Sequence, residues 1–341
     1  MEMSLATIIF TFTFTFCTIF IIPCSEAAEK GQGNGLHVGF YGLRCPNAEQ
    51  IVADVVSKAV EADQKLPAAF IRLFSHDCFV KGCDASILLD STPSHEPVEI
   101  QSPANVGMRG LEVIDEIKAR LEAECPETVS CADILAFAAR EAVALAGLPR
   151  HKVPAGRRDS RTSRATDVTL PAPATPLNEI IEYFSRRGMT SDEMVVLSGA
   201  HSIGAVHCSF FDYRLYNYDQ TQAQDPALDR FYAANLSQQC PAPNTLPEAE
   251  AKNRVVDFDP ITPLVLDNQY YANLMQGKAL LQSDQALVTD PRTKAMVISM
   301  AASADSWTQR FVRAMIKMGR INVLTGENGE IRKNCRAFNP L

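Results

Sequence analysis

The spacing of apolar residues along this chain is typical of helices that bury one face. After Asn47, apolar side chains return every three or four positions, at Ile51, Val52, Val55, Val56, Ala59 and Val60. Similar helical segments occupy residues 111–121, 130–147 and 294–318, and Thr190 with Glu193 forms the start signal of another helix. Proline-rich loops separate these segments, with no internal repeat and no long linker. The pattern predicts a single, mostly helical domain.

The first residues form a distinct apolar segment. Residues 5–22 carry no charge, and Pro23 and the small pair Ala27 and Ala28 follow them. This order is typical of a secretory signal peptide, although the usual basic residue is missing and a membrane anchor is the alternative. We predict that residues 1–28 are removed and that residues 29–341 form the mature domain. No later segment has the roughly 20 apolar residues of a membrane span, so we expect no membrane attachment after cleavage.

Composition and charge narrow the class of protein. The chain has 341 residues, of which 46% are hydrophobic and 21% charged, and this is the composition of a globular protein. Its 40 acidic residues outnumber 32 basic ones, which gives a net charge of −8. An acidic protein is repelled by phosphate backbones, so we expect no nucleic-acid partner.

The cysteines indicate an oxidising compartment. Eight of the ten remain after the predicted cleavage: Cys45, Cys78, Cys83, Cys125, Cys131, Cys208, Cys240 and Cys335. An even number in an exported chain favours four disulfides, but the spacing leaves their pairing open. A zinc site would need two close cysteine pairs, and only Cys78 and Cys83 form one. An N-glycosylation acceptor at Asn235 is consistent with secretion.

Two polar residues interrupt an apolar helical segment that begins at Pro67. Arg72 and His76 are four residues apart, so they lie one turn apart on the same side of a helix. A cation and an imidazole in an apolar cavity can together remove a proton and stabilise the anion that remains. The alternative is a structural histidine beside an arginine that extends towards solvent.

The next ten residues are rich in oxygen ligands. Residues 77–86 contain two carboxylates, a hydroxyl, a glycine and a short cysteine loop. Such a set suits calcium, which prefers hard oxygen ligands. The alternative is a turn that ends the helix and carries solvated acids.

Residues 72–90, with the sequence RLFSHDCFVKGCDASILLD, closely resemble the distal segment of plant secretory (class III) haem peroxidases. Further segments match this family in the same order, at residues 108–115, 129–135, 153–160, 197–204, 267–271, 282–285 and 318–321. The resemblance covers nearly all of the predicted mature chain. It implies an all-α haem peroxidase fold of about ten or more helices, with haem between a distal and a proximal half.

The resemblance also implies the roles of the residues around the haem. His76 would be the acid/base catalyst, Arg72 its partner, and Asn105 the side chain that fixes its tautomer. His201 would bind the iron of haem b, and Asp284 would accept the Nδ1–H of His201. Phe258 would pack against the proximal imidazole, and the carbonyl of Pro154 would contact phenolic substrates.

The resemblance further implies two calcium ions and four disulfides. The distal calcium ligands would be Asp77, Val80, Gly82, Asp84 and Ser86. The proximal ligands would be Ser202, Asp259, Thr262, Val265 and Asp267. The disulfides would be Cys45–Cys125, Cys78–Cys83, Cys131–Cys335 and Cys208–Cys240.

The function implied is that of a secreted monomeric enzyme of the apoplast or cell wall. It would reduce hydrogen peroxide and oxidise small phenols by one-electron steps, with lignin precursors or wall phenolics as donors and cell-wall polymers as further partners. Ser75 stands where the family usually has an aromatic residue, and this favours oxygen transfer of the peroxygenase type as an alternative. A wall-associated scaffold of the same fold is the non-enzymatic alternative, although it would need none of the catalytic residues.

Overall fold

A computed structural model describes residues 35–92, 96–243, 245, 247, 250 and 253–340. Within them lie twelve α-helices: α1 (Ala48–Ala62), α2 (Leu66–Cys78), α3 (Leu111–Glu124), α4 (Cys131–Leu145), α5 (Leu177–Ser185), α6 (Ser191–Ser198), α7 (Tyr213–Tyr216), α8 (Arg230–Gln239), α9 (Gln269–Met275), α10 (Gln282–Thr289), α11 (Pro291–Ala302) and α12 (Ala304–Met318). Two short strands, β1 (Ala205–His207) and β2 (Val255–Asp257), pair antiparallel with Val206 opposite Val256. The predicted mostly helical fold is confirmed.

Helix α4 lies at the centre of the main core. Its residues are buried from Cys131 to Val143, because α1, α2 and α3 pack around it. Helices α6, α11 and α12 pack on one another and continue the same core. A second, smaller core joins α8 to the two strands. The contacts group residues 34–341 into one unit.

Local signals set several helix boundaries. The predicted start of α6 is confirmed, since Thr190 Oγ1 accepts from Glu193 N (3.1 Å) and Glu193 Oε2 accepts from Thr190 N (2.7 Å). The long segment predicted over residues 294–318 is instead two helices, α11 and α12. Ser303 separates them with an extended backbone, and its Oγ accepts from Ser306 N (3.2 Å) to cap α12.

Four disulfides join the chain, with the pairing that the family resemblance implies. They are Cys45–Cys125, Cys78–Cys83, Cys131–Cys335 and Cys208–Cys240. The bond from Cys131 links the start of α4 to a residue 204 positions later. The carboxyl-terminal segment is therefore held to the central helix by a covalent bond.

None of the helices in the described part of the chain is long and apolar enough to cross a bilayer. The signal peptide that we predict over residues 1–28 lies outside the described residues.

A buried ion pair holds three segments of the main core together. Arg157 Nη1 lies 2.7 Å from Asp133 Oδ1 on α4, and both side chains are almost completely buried. Arg157 also donates to the carbonyl of Gly319, just after α12, through Nε (2.9 Å) and Nη2 (2.6 Å). Tyr41 and the backbone N–H of Gly156 donate to Asp133 as well.

We expect Arg157→Leu to lower the free energy of unfolding by about 3–5 kcal/mol, because it leaves the Asp133 carboxylate buried without its cation. The control is Arg186→Leu, which breaks the exposed pair with Glu182 and should cost at most about 1 kcal/mol. Denaturant unfolding of both variants with the disulfides intact measures the difference. Equal losses would show that the Asp133 pair contributes no more than a surface pair.

Candidate functional site

Helix α2 presents Arg72 and His76 to a cleft. Pro67 lies in its first turn, where the missing N–H costs no hydrogen bond. Phe70, Leu73 and other apolar side chains of α2 are buried in the core, whereas Arg72 and His76 are only partly buried. Arg72 Nη2 donates to the carbonyls of Ala104 (3.0 Å) and Val106 (3.3 Å). These bonds hold the guanidinium on the same side of the helix as His76.

Asn105 fixes the orientation of the His76 ring. Its Nδ2 donates to the carbonyl of Glu99 (2.6 Å), so its Oδ1 is the atom that lies 2.7 Å from His76 Nδ1. Because an amide oxygen only accepts, Nδ1 of His76 carries the hydrogen and Nε2 keeps its lone pair. Burial, followed by the charge of Arg72, lowers the pKa of His76 to about 4, although the Asn105 bond acts in the opposite direction. His76 is therefore neutral near pH 7 and can accept a proton.

His201 is held in a similar way by an acid. It lies in the 3₁₀ turn Gly199–Ser202, and its Nδ1 is 3.0 Å from Asp284 Oδ2 and 3.1 Å from Oδ1. The Phe258 ring stacks on the imidazole in parallel, with centroids 4.4 Å apart. Burial alone would lower the pKa of His201, but the charge and hydrogen bond of Asp284 outweigh it, so the pKa is raised. Nε2 is the ring nitrogen that remains for a ligand.

The two imidazoles and Arg72 belong to one electrostatic site. The charge of His201 contributes to the lowered pKa of His76, and the charge of Arg72 opposes the raised pKa of His201. The His201 side chain is 39% exposed, because it borders the cleft. A metal-bound imidazole commonly donates its second nitrogen to a carboxylate, and Asp284 supplies that partner. This set of residues fits a haem group, because His201 Nε2 is free for a metal and Asp284 holds the other ring nitrogen.

Buried carboxylates follow His76 directly. Asp77 and Asp84 are almost fully buried, and Asp77 Oδ1 and Ser86 Oγ lack a hydrogen-bond partner. Burial raises the pKa of both carboxyl groups, and the charge of Asp84 raises that of Asp77 further. In the described part of the chain no three or more His, Cys, Asp or Glu side chains form a metal-binding group. The predicted distal ligands include a hydroxyl and backbone carbonyls, which suit calcium.

The five predicted proximal calcium ligands lie together. The first of them, Ser202, directly follows His201 in the chain. Ser202 Oγ accepts from Asp267 N (3.0 Å) and donates to the carbonyl of Val265 (3.3 Å). Asp259 is buried and accepts from the backbone N–H (3.1 Å) and the hydroxyl (3.2 Å) of Thr262. Burial raises the pKa of Asp267, and the charge of Asp259 raises it further.

The role of the Pro154 carbonyl as a contact for phenolic substrates stays a prediction. Pro154 is buried, and its carbonyl accepts from Nη1 of the buried Arg157 (2.9 Å). Together with Phe74 it lines a small internal cavity. A carbonyl oxygen has two lone pairs, so the bond from Arg157 leaves one of them for a second donor.

No role for Tyr270 was expected from the sequence, although its segment was part of the family resemblance. Its hydroxyl donates to Asp284 Oδ1 (2.8 Å), and its ring meets that of His201 edge-on at 6.4 Å. Tyr270 thus positions the acid that positions His201. The sequence around Tyr270 does not indicate this contact, because the contact depends on how α9 packs against α10.

The comparisons with known proteins agree with this site. Residues 52–303 match the family model described as Peroxidase. Peroxidase 5 of Vitis vinifera is 48% identical, covering 94% of this chain and 96% of that protein. Peroxidase 44 of Arabidopsis thaliana is 42% identical, covering 96% and 97%, and Peroxidase 1 of Zea mays is 43% identical, covering 94% and 86%.

The family match assigns the chain to the haem enzymes that act on peroxide. The chain is a member of the plant class III peroxidase family, and it reduces hydrogen peroxide as a haem-dependent peroxidase. Haem and calcium are the cofactors general to this family.

The Asp284–His201 contact predicts a titration. In the haem-free protein, Asp284→Asn should move the pKa of His201 from above to below that of ordinary imidazole, about 6.5, because burial and Arg72 then act unopposed. Tyr270→Phe, which leaves the carboxylate in place, should keep the raised direction. The imidazole resonances, followed by NMR against pH, measure both. A pKa that stays raised in Asp284→Asn would rule out the carboxylate as the cause.

Proposed function

We propose that the chain is an exported enzyme that uses hydrogen peroxide to oxidise small phenols by one-electron steps. The observation that carries this proposal is the arrangement of His76 and His201. Each has its Nδ1 bonded to a neighbouring side chain, and each leaves Nε2 for chemistry in the same cleft. A scaffold protein of the same fold would have no use for a partly buried, neutral His76 beside a guanidinium.

His201 would hold haem b through Nε2, with Asp284 and Phe258 keeping the imidazole in place. When bound, haem b supplies the redox centre for the reduction of peroxide and the oxidation of donors. His76 Nε2 takes the proton from one oxygen of the peroxide and returns it to the other, departing oxygen as the O–O bond breaks. Arg72 stabilises the negative charge that develops on the departing oxygen. Asn105 keeps His76 in the tautomer that both proton transfers need.

Apolar side chains at the edge of the cleft support phenolic donors. Val106 is 64% exposed next to the carbonyl that holds Arg72, and Phe210 is 41% exposed. His207 lies near both of these side chains. The centroid of its ring is 6.4 Å from that of Phe210, and its Nε2 would lie 3.9 Å from a Cβ added to Gly107, the residue next to Val106. Such a rim accepts an aromatic ring, and each phenol would give up one electron and its hydroxyl proton.

Export, two calcium ions and a monomeric state complete the proposal. Signal-peptide cleavage near residue 28 would deliver the protein to the apoplast or cell wall, where disulfides persist. Two separate sets of oxygen ligands support two Ca²⁺ ions. The first set begins at Asp77, directly after His76, and the second begins at Ser202, directly after His201. Wall phenolics or lignin precursors are the donors that this location provides, and wall polymers would be further partners.

The assignment of His76 is tested by His76→Ala. We expect normal haem binding but a rate of reaction with peroxide that falls by about 10²–10⁴-fold, because the proton transfers lose their base and acid. His37→Ala, which removes an exposed histidine, is the control and should react at the parent rate. Stopped-flow spectra give the rates. A parent-like rate in His76→Ala would refute the proposed role.

The calcium sites are tested by chelation. Removal of calcium should lower the Tm by at least about 5 °C, because tightly bound ions stabilise the native state by mass action. In the calcium-free protein the pKa values of Asp77 and Asp84 are raised, so the folded state favours the protonated acids. The unfolded chain releases these protons at a lower pH, so the calcium-free protein loses stability as the pH rises. The difference in Tm between the loaded and chelated forms should therefore widen as the pH rises from about 4 to 7. An unchanged Tm after verified removal would contradict the assignment.

Oxygen transfer is a second candidate, and Ser75 is the observation that favours it. The Ser75 hydroxyl donates to the carbonyl of Arg72 (2.9 Å), so the side chain folds back on α2 beside His76. No ring at this position blocks the approach of a substrate to the cleft interior.

Ser75→Phe should lower sulfide oxygenation relative to phenol oxidation, because the added ring obstructs the cleft. Both activities are measured in the parent and the variant. An unchanged ratio would remove oxygen transfer from consideration and leave the phenol proposal intact.

A further inference from the structure

Helix α8 has an outer face that carries an unusually exposed aromatic ring. Tyr232, Ala233 and Leu236 are buried in the smaller core, and the disulfide from Cys240 holds the end of the helix. On the other side, Phe231 is 69% exposed, more than any other phenylalanine, tyrosine or tryptophan side chain in the described part of the chain. This exposure forgoes a large part of the stabilisation that burial of the ring would give.

Asn235 lies one helical turn after Phe231. Residues four apart on a helix are neighbours on one face, and the Cα–Cβ bonds tilt towards the helix N-terminus. The exposed Asn235 side chain lies on the same face of α8 as Phe231, so a group attached to it can reach that ring. Its Oδ1 accepts from Gln239 Nε2 (2.8 Å), and that bond does not use Nδ2, the atom that glycosylation modifies. Ser237 completes the acceptor sequence.

The Phe231 ring already has a partner on one face. The guanidinium carbon of Arg230 lies 4.5 Å from the ring centroid. An aromatic face is electron-rich, so it attracts the polarised C–H bonds on the apolar side of a pyranose as it attracts a cation. One face of Phe231 contacts Arg230, and the opposite face remains available to a sugar.

We propose that Asn235 carries an N-linked glycan and that its first N-acetylglucosamine covers Phe231. This inference rests on the proposed export of the chain, because glycosylation occurs in the secretory pathway. The donor is a lipid-linked diphosphate oligosaccharide. Asn235 Nδ2 forms a bond to C1 of the sugar and loses one proton, while the lipid diphosphate leaves and no group is oxidised or reduced.

In this arrangement the sugar stabilises the folded protein. The glycan adds a packed partner to the outer face of α8, so its stabilising effect depends on Phe231. A glycan that acted only as a soluble shield would stabilise the protein equally with or without the ring. This dependence separates the two possibilities.

The test uses four holoenzymes exported behind a signal peptide from another protein: the parent, Asn235→Gln, Phe231→Ser and the double variant. Peptide mass spectrometry of the parent should find hexosamine on Asn235. Asn235→Gln should lower the Tm by about 2 °C when Phe231 is present and leave it unchanged in the Phe231→Ser background. Trimming the parent glycan to one N-acetylglucosamine should preserve the Tm, because that sugar makes the contact.

Two results would overturn the proposal. An unmodified Asn235 in the exported protein rules out the site, and equal Tm losses in both backgrounds rule out the contact with Phe231. Because the borrowed signal peptide secures export, neither result depends on residues 1–28. The export proposal itself is tested separately, by the amino-terminal sequence of protein secreted with its own leader.

Discussion

The chemistry of this protein depends on the hydrogen bond made by Nδ1 of each cleft histidine. Imidazole has two nitrogens, and the partner of one decides what the other can do. An amide oxygen holds His76 as a neutral base, whereas a carboxylate gives His201 the electron density of a strong metal ligand. The same side chain thereby has two different properties, and the difference comes from Asn105 and Asp284.

Each of these histidines is followed in the chain by oxygen ligands. Asp77 comes directly after His76, and Ser202 comes directly after His201. Burial raises the pKa of Asp77 in the first set and of the partly buried Asp267 in the second, so both acids are positions where a cation would be favourable. A cation bound at either set would therefore order the backbone that carries a histidine. Cation binding would thus both offset the electrostatic cost of burying these acids and hold His76 and His201 in position.

Much of this architecture was predictable from the chain, because local signals and collinear motifs specify it. The capping residues of α6 act within four positions, and the family resemblance implied the disulfide pairs and the residues around both histidines. The break at Ser303 was missed because a serine at a helix start looks the same as one on an exposed helix face. The contact of Tyr270 depends on tertiary packing that periodicity does not encode.

The single tryptophan of the chain, Trp307, gives the protein an internal optical probe. It is fully buried, its Nε1 donates to the carbonyl of Val196, and its ring meets Tyr271 at 6.3 Å. Tyr271 in turn contacts Tyr270, whose ring borders His201. All indole emission therefore originates close to the proximal imidazole. A porphyrin held by His201 would quench that emission by energy transfer, so the fluorescence of the unlabelled protein reports the fraction of molecules that carry haem.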